Sequence, residues 1–397
     1  MQIPSDVRAI LERLTAAGFD AVAVGGSVRD ALLGKAPDDW DVATKATPDE
    51  MHTVFADYRL VDTGFALGTV TVLTEHRPVE VTTYRAESGY RDHRHPDSVS
   101  FTDDLAEDLK RRDFTVNAMA YHPVHGLIDL FGGRDDLAAG IIRCVGDPAT
   151  RFDEDALRIF RGVRFASTLG FAVEPQTAAA MRETAPLLRT VAVERLLVEL
   201  TKWIVGRDAA RTLQTHTAAF TEGIPALAGL DLDDKAVHTF DRLPPAAPIR
   251  LAALLSAVPD TEAAVSRMRL ANKTAADILA WCAHRADPIP TDRVAVKRML
   301  GAHSFDWCRQ LWTWQGLLTD DPDAAARAIQ TATQLLDEGA CLTRADLAVS
   351  GRDVIAWGVP NGTAVGDVLD DLVVAVLADR CDNTTEALYQ YWNKKSR

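Results

Sequence analysis

The chain has 397 residues, 47% hydrophobic and 25% charged, with a net charge of −14. That length predicts two to four domains, and no apolar run approaches the ~20 residues a bilayer-spanning helix needs. The acidic sum argues against a surface that is basic throughout, although phosphates respond to a local patch rather than to the total. The opening residues, Met1-Gln2-Ile3-Pro4-Ser5-Asp6, lack the basic and apolar regions of a secretory signal. Cys144, Cys282, Cys308, Cys341 and Cys381 are scattered, with no CxxC pair. That argues against structural zinc and a disulfide framework and predicts a reducing, cytoplasmic location.

In chain order, residues 4–18 read as an amphipathic helix capped by Ser5 or Asp6. Ala21-Val22-Ala23-Val24 is an apolar run ending in Gly25-Gly26, the pattern of a buried strand entering a turn. Gly25-Gly26-Ser27-Val28-Arg29-Asp30 then opens a short helix, whose free N–H groups suit a phosphate. Asp39-Trp40-Asp41 comes next. Read as a strand, it turns both carboxylates to one face and Trp40 to the other. Two carboxylates so placed can hold Mg²⁺ together with substrate phosphates.

Thr47-Pro48-Asp49-Glu50 starts another helix. Strand-like runs occupy residues 58–61, 68–73 and 79–84. Glu80 lies in the last of these, on the face opposite Val79 and Val81. It reads equally as a third carboxylate approaching a metal or as a solvent-facing strand acid. Residues 1–85 thus form a small mixed α/β unit. Residues 86–100 are polar without a usable period and read as a mobile loop of functional length.

A helix is predicted over 103–121. It carries Leu109-Lys110-Arg111-Arg112-Asp113-Phe114-Thr115-Val116-Asn117-Ala118. Arg111, Arg112 and Asp113 are there either a solvated face, with Asp108 pairing Arg112 at i, i+4, or a ribose and triphosphate contact. From about residue 150 nearly every segment has helical character. The stretch from Glu154 to Arg164 places Glu154, Asp155, Arg158 and Arg161 in one arc, with Arg164 at its edge and Leu157, Ile159, Phe160 and Val163 opposite. Carboxylate and guanidinium edges on one face can read a nucleobase, and Arg161 and Arg164 can reach phosphates. Salt bridges on an exposed helix are the other reading.

These motifs, with Glu80-Val81-Thr82-Thr83-Tyr84-Arg85 and Asp129-Leu130-Phe131-Gly132-Gly133 between them, occur in the order found in class II tRNA nucleotidyltransferases. The chain resembles the bacterial CCA-adding enzymes of the polymerase-β-like superfamily over nearly its whole length. Leu347-Ala348-Val349-Ser350-Gly351-Arg352-Asp353 and Asp379-Arg380-Cys381-Asp382-Asn383 resemble that group's C-terminal segments.

The resemblance implies an α+β architecture, a mixed α/β nucleotidyltransferase head followed by an all-α neck, body and tail. The expected bounds are 1–145, 146–206, 207–300 and 301–397. It implies that Asp39 and Asp41 bind Mg²⁺, with Glu80 as a further catalytic carboxylate. Gly26, Arg29 and Arg164 join the nucleotide contacts. Arg111 and Asp113 take the ribose-reading positions, Asp155 and Arg158 the base-reading pair, and Arg161 a phosphate contact. The implied reaction is two-metal in-line attack of the tRNA 3′-hydroxyl on the α-phosphate of CTP or ATP, one metal activating the attacking oxygen and the other stabilising the leaving pyrophosphate. The implied partner is tRNA, held at its 3′ end and its acceptor and elbow region, with no membrane; the protein is a monomer or homodimer. An enzyme adding only the terminal A, or a poly(A) polymerase, shares the head motifs and stays open at this point. Three departures from the family pattern stand out: Leu67 before Gly68-Thr69, Trp40 between the carboxylates, and Arg94-His95-Pro96 in the loop. The first two read as packing changes.

Overall fold

The computed structural model describes residues 1–88 and 98–396. The chain divides into two compact units, Met1–Leu230 and Asp231–Arg397.

The first unit begins with helix α1 (Ser5–Ala16), whose N-cap is Pro4. Asp6 accepts from the neighbouring Val7 N–H, so neither Ser5 nor Asp6 is the cap. Strand β1 (Ala21–Val24) is buried at all four positions, as its unbroken apolar run requires. Helix α2 (Gly26–Leu32) follows directly. Strand β2 (Asp41–Thr44) begins at Asp41, so Asp39 precedes the strand instead of sharing it. The reason is pairing: β1 ends at Val24, opposite Asp41, and Gly25 turns away. Trp40 is buried, in line with a packing change, whereas Leu67 is exposed and nothing in the structure explains it.

Helix α3 (Pro48–Val54) starts at a capping box of Thr47 and Glu50. Strands β3 (Arg59–Gly64), β4 (Thr69–Leu73) and β5 (Pro78–Thr83) fall on the expected runs. The expected loop over 86–100 is framed by two strands, β6 (Arg85–Ser88) and β7 (Ser98–Phe101), paired antiparallel. Backbone pairing does not need side-chain alternation, which is why the polar sequence concealed it. The loop's central residues, 89–97, lie outside the described residues.

The helix expected over 103–121 is only α4 (Leu105–Lys110). Phe114 is extended (φ −127°, ψ 149°), a short 3₁₀ turn covers Thr115–Asn117, and Met119–His122 is strand β8. Met119 and Ala120 are fully buried in the sheet, and that burial overrides helical propensity. Strand β9 (Gly126–Asp129) closes the sheet, whose order is β3-β4-β5-β2-β1-β8-β9. β2 and β5 are parallel; the other neighbours are antiparallel. Val22, Val24, Ala43, Tyr84, Leu109 and Ala120 form a core on one face. Helix α5 (Gly133–Ala139) then packs close to the 3₁₀ turn: a Cβ at Gly133 would lie 2.2 Å from the Thr115 carbonyl oxygen.

The helix expected through Glu154 to Arg164 is two helices, α6 (Pro148–Glu154) and α7 (Leu157–Leu169). The break falls at Asp155 (φ −139°, ψ 102°), whose carboxylate accepts from the Leu157 N–H at 3.1 Å. An Asp side chain competes with helix continuation in this way. Helices α8 (Pro175–Thr184) and α9 (Val193–Ile204) follow, and α9 packs along α7.

The second unit is helical from Asp234 to Lys395 among the described residues. Its two sequence motifs meet. The Asn383 amide accepts from Ala348 N–H and donates to the Asp346 carbonyl, both at 2.8 Å. Ser350 and Asp353 form the capping box of the helix Gly351–Ala356.

Candidate active site

The turn into α2 sets the site's floor. Gly25 has φ 76°, and a Cβ there would lie 3.0 Å from Arg112 Nη1 and 3.8 Å from Asp41 Oδ2. A side chain would therefore be strained and would also crowd both charged groups. Asp41 sits opposite Val24 on one side and opposite Glu80 on the other, because β2 and β5 run parallel in that register. Burial pushes the Asp41 carboxyl up to about 6; Arg112 opposes this, while the carboxylates of Glu80 and Asp39 add to it. Asp39 is exposed at the cavity edge.

Arg111, Arg112 and Asp113 occupy the turn after α4. Asp108, almost fully buried, holds both arginines, Arg111 at 2.8 Å and Arg112 at 3.2 Å. The i, i+4 pair read from the sequence is present, and it aims two guanidiniums instead of solvating a helix. Asp113 is 7% exposed. Its Oδ1 accepts from Phe114 N–H (2.8 Å) and Asn117 Nδ2 (3.0 Å), and its Oδ2 pairs with Arg161 (2.7 Å). Burial alone would raise its pKa, but Arg161 and these hydrogen bonds outweigh it and hold the carboxyl at about 2. Asp113 therefore ties this turn to α7.

Asp155 Oδ1 accepts from the Leu157 N–H at the start of α7, and Oδ2 meets Arg195 of α9 at 3.3 Å. Arg158 donates to Glu154 (2.7 Å), to the Arg151 carbonyl (3.2 Å) and to the Arg111 carbonyl (2.9 Å). Arg164 pairs with the buried Glu199, which also lies 3.8 Å from Arg161. From α2, Arg29 Nη1 donates to Asn117 Oδ1, and its other nitrogens pair with Asp30.

These groups line one cavity of about 590 Å³. Gly26, Arg29, Asp39, Asp41, Arg111, Asp113, Asp155, Arg158, Arg161 and Arg164 all face it. Glu80 does not line it, although its charge reaches Asp41. Eight basic and six acidic side chains line the cavity, so the local charge is positive within a chain of net charge −14. Sequence reasoning missed Asn117, Phe165, Arg195 and Lys202, and quoted Arg112 without choosing it. The signal for α9 was present: Arg195, Glu199 and Lys202 recur at i, i+4 and i+7, one helix face.

A seven-stranded mixed sheet with a Gly-Gly turn, carboxylates at and just before the start of β2 and a facing arginine helix defines a nucleotidyltransferase. Residues 21–143 match the family described as Poly A polymerase head domain, and residues 170–215 match the Probable RNA and SrmB- binding site of polymerase A. Along the whole chain the similarity is to CCA-adding enzymes. That of Geobacillus stearothermophilus is 36% identical over 98% of this chain and 96% of its own length. That of Streptococcus gordonii is 38% identical over 97% and 96%. The crystal structure of the Bacillus stearothermophilus CCA-adding enzyme in complex with CTP superposes with a TM-score of 0.85 at 34% identity, covering 100% of this chain and 98% of that one. The chain belongs to the CCA-adding enzyme family.

Proposed function

We propose that this cavity holds the incoming CTP or ATP and that the chain uses it to add C, C and A to the 3′ end of tRNA. CCA addition is the family's activity. The assignment to this cavity rests on one observation: carboxylates of the β2 region and arginines of α7 line a single space beside the Gly25-Gly26 turn.

Asp39 and Asp41 would hold a divalent cation, read here as Mg²⁺. The crowding of Asp41 by Glu80 and Asp39 fits a site that a cation relieves. Among the described residues no three His, Cys, Asp or Glu side chains form a cage. Mg²⁺ does not need one, since one or two carboxylates with substrate phosphates and water suffice. When bound, one such ion would activate the attacking 3′-hydroxyl and a second would stabilise the leaving pyrophosphate. The α2 N–H groups, Arg29, Arg161 and Arg164 take the triphosphate. Arg111 and Asp113 face the ribose.

Asp155 and Arg158 read the base. Cytosine N4 and adenine N6 are both amino donors, whereas uracil and guanine place oxygen at the matching edge. A carboxylate accepts from the first pair and repels the second. Asp155 has lone pairs left beyond Leu157 and Arg195, because a carboxylate offers about four acceptor positions. We place transfer chemistry in residues 1–145, base reading in 146–206, and tRNA contact in the body (207–300) and tail (301–397). No helix among the described residues is long and apolar enough to cross a membrane. The free cysteines support a cytoplasmic location.

The test is extension of three tRNA acceptors, ending before CCA, after C and after CC, with CTP and ATP. Addition of C, C and A, then a stop, is expected. A run of A residues, or addition of A alone, would overturn the reading.

A further inference from the structure

Among the described residues Phe165 is the one aromatic ring lining the cavity, and it is 4% exposed. Three guanidiniums surround it: Arg164 at 3.7 Å from the ring centroid, Arg29 at 5.1 Å and Arg161 at 5.4 Å. They come from two elements, α2 and α7. The ring meets Phe114 edge to face at 5.9 Å, and Phe114 directly follows Asp113. One side chain thus touches α2, α7 and the turn carrying Arg111 and Asp113.

We propose that Phe165 is a positioning residue: its ring gathers Arg29, Arg161 and Arg164 into a single anion-binding row for the substrate triphosphate. Three cations around one ring repel one another. The negative ring face offsets that repulsion. Asp30 holds Arg29, Asp113 holds Arg161, and Glu199 holds Arg164 and lies 3.8 Å from Arg161. A carboxylate partner occupies N–H donors, whereas a ring face attracts the cation without using any. Donors held in place by the ring stay available to phosphate oxygens. The row spans α2 and α7, so the ring also fixes the spacing between the Gly25-Gly26 turn and the base-reading helix.

The proposal rests on the reading of this cavity as the nucleotide site. Its test is a series of fluorinated phenylalanines at position 165 of the full chain, which weakens the ring face while nearly keeping its shape. KM for CTP and ATP should rise stepwise with fluorine number, reaching about tenfold for a fully fluorinated ring. Binding of inorganic tripolyphosphate should weaken in parallel, and the CTP over UTP preference should stay within about twofold. The Phe165→Leu variant should show the same KM rise, and Phe165→Tyr should restore it. A flat KM across the fluorinated series would overturn the positioning role and leave packing alone. Loss of base preference in step with KM would overturn it as well, by assigning the ring to base reading. Failure of the unsubstituted chain to bind both tripolyphosphate and CTP would instead remove the nucleotide-site reading itself, and the proposal with it.

Discussion

In the proposed function, Asp41 is the residue on which transfer turns. It is half-buried, opposite Glu80, and beside Arg112 and the Gly25 turn. Asp41→Ala should lower both C and A addition by about 10²-fold or more, since a lost metal contact costs several kcal/mol of barrier. The same change removes one carboxylate from a crowded set, so the fold should persist. Transfer rates beside a thermal melt separate the two effects, and residual transfer within about tenfold would contradict the metal assignment. Asp113 behaves oppositely. Its carboxyl is held at about 2, below the ordinary aspartate value of 3.8. A depressed folded-state pKa adds stability that is present above pH 3.8 and is lost as pH falls toward 2. For so buried a group the contribution is on the order of 2 kcal/mol. Asp113→Asn should therefore destabilise the chain at pH 7, and the deficit should shrink between pH 4 and pH 2. Urea unfolding across that range checks it; a pH-independent deficit would show that the charge is not what matters.

At the scale of elements, what was legible followed short-range chemistry. The apolar run of β1, the alternation of β4 and β5, and the Thr47-Pro48 start of α3 all stand where pattern put them. Three readings failed, two where pairing with a strand distant in sequence decides the structure and one where a local side-chain hydrogen bond does. Residues 113–121 have helical character, yet β8 must pair with β1 and β9. The arc drawn through Glu154 to Arg164 assumed one helix, yet Asp155 ends α6 and its carboxylate takes the Leu157 N–H at the start of α7. Asp39 lies ahead of β2 because nothing pairs with it. The site was more legible than the elements. Its residues carry charge, and charge marked them whatever local conformation they adopt. Phe165 and Asn117 escaped because an apolar or amide side chain in a helix or turn reads as ordinary packing. The break at Asp155 has its own consequence. Asp155→Ala removes the acceptor of the Leu157 N–H and the partner of Arg195. It should relax rejection of UTP and GTP more than it raises KM for CTP. Competition of the four triphosphates checks this, and unchanged rejection would return Asp155 to a purely structural role.

For the whole molecule, the described residues that line the cavity all belong to the first compact unit. Nucleotide binding should therefore separate from tRNA binding. A fragment of residues 1–230 should bind CTP within about threefold of the full chain, a difference under about 1 kcal/mol, while its KM for tRNA rises by a much larger factor. Calorimetry with CTP and extension at increasing tRNA concentration check the two halves. Equal loss of both would mean that the second unit supports the cavity itself. The local excess of basic side chains explains how a chain of net charge −14 handles triphosphates.

The central claim is that one cavity, with Asp39 and Asp41 on one side and Asp155 and Arg158 on another, performs all three additions. The most direct measurement is the mass of the tRNA 3′ end after reaction with CTP and ATP together, for the unaltered chain and for Asp41→Ala. Growth by C, C and A with no further extension, absent in Asp41→Ala, is the predicted result. Continued growth past A, or full CCA addition by Asp41→Ala, would contradict it.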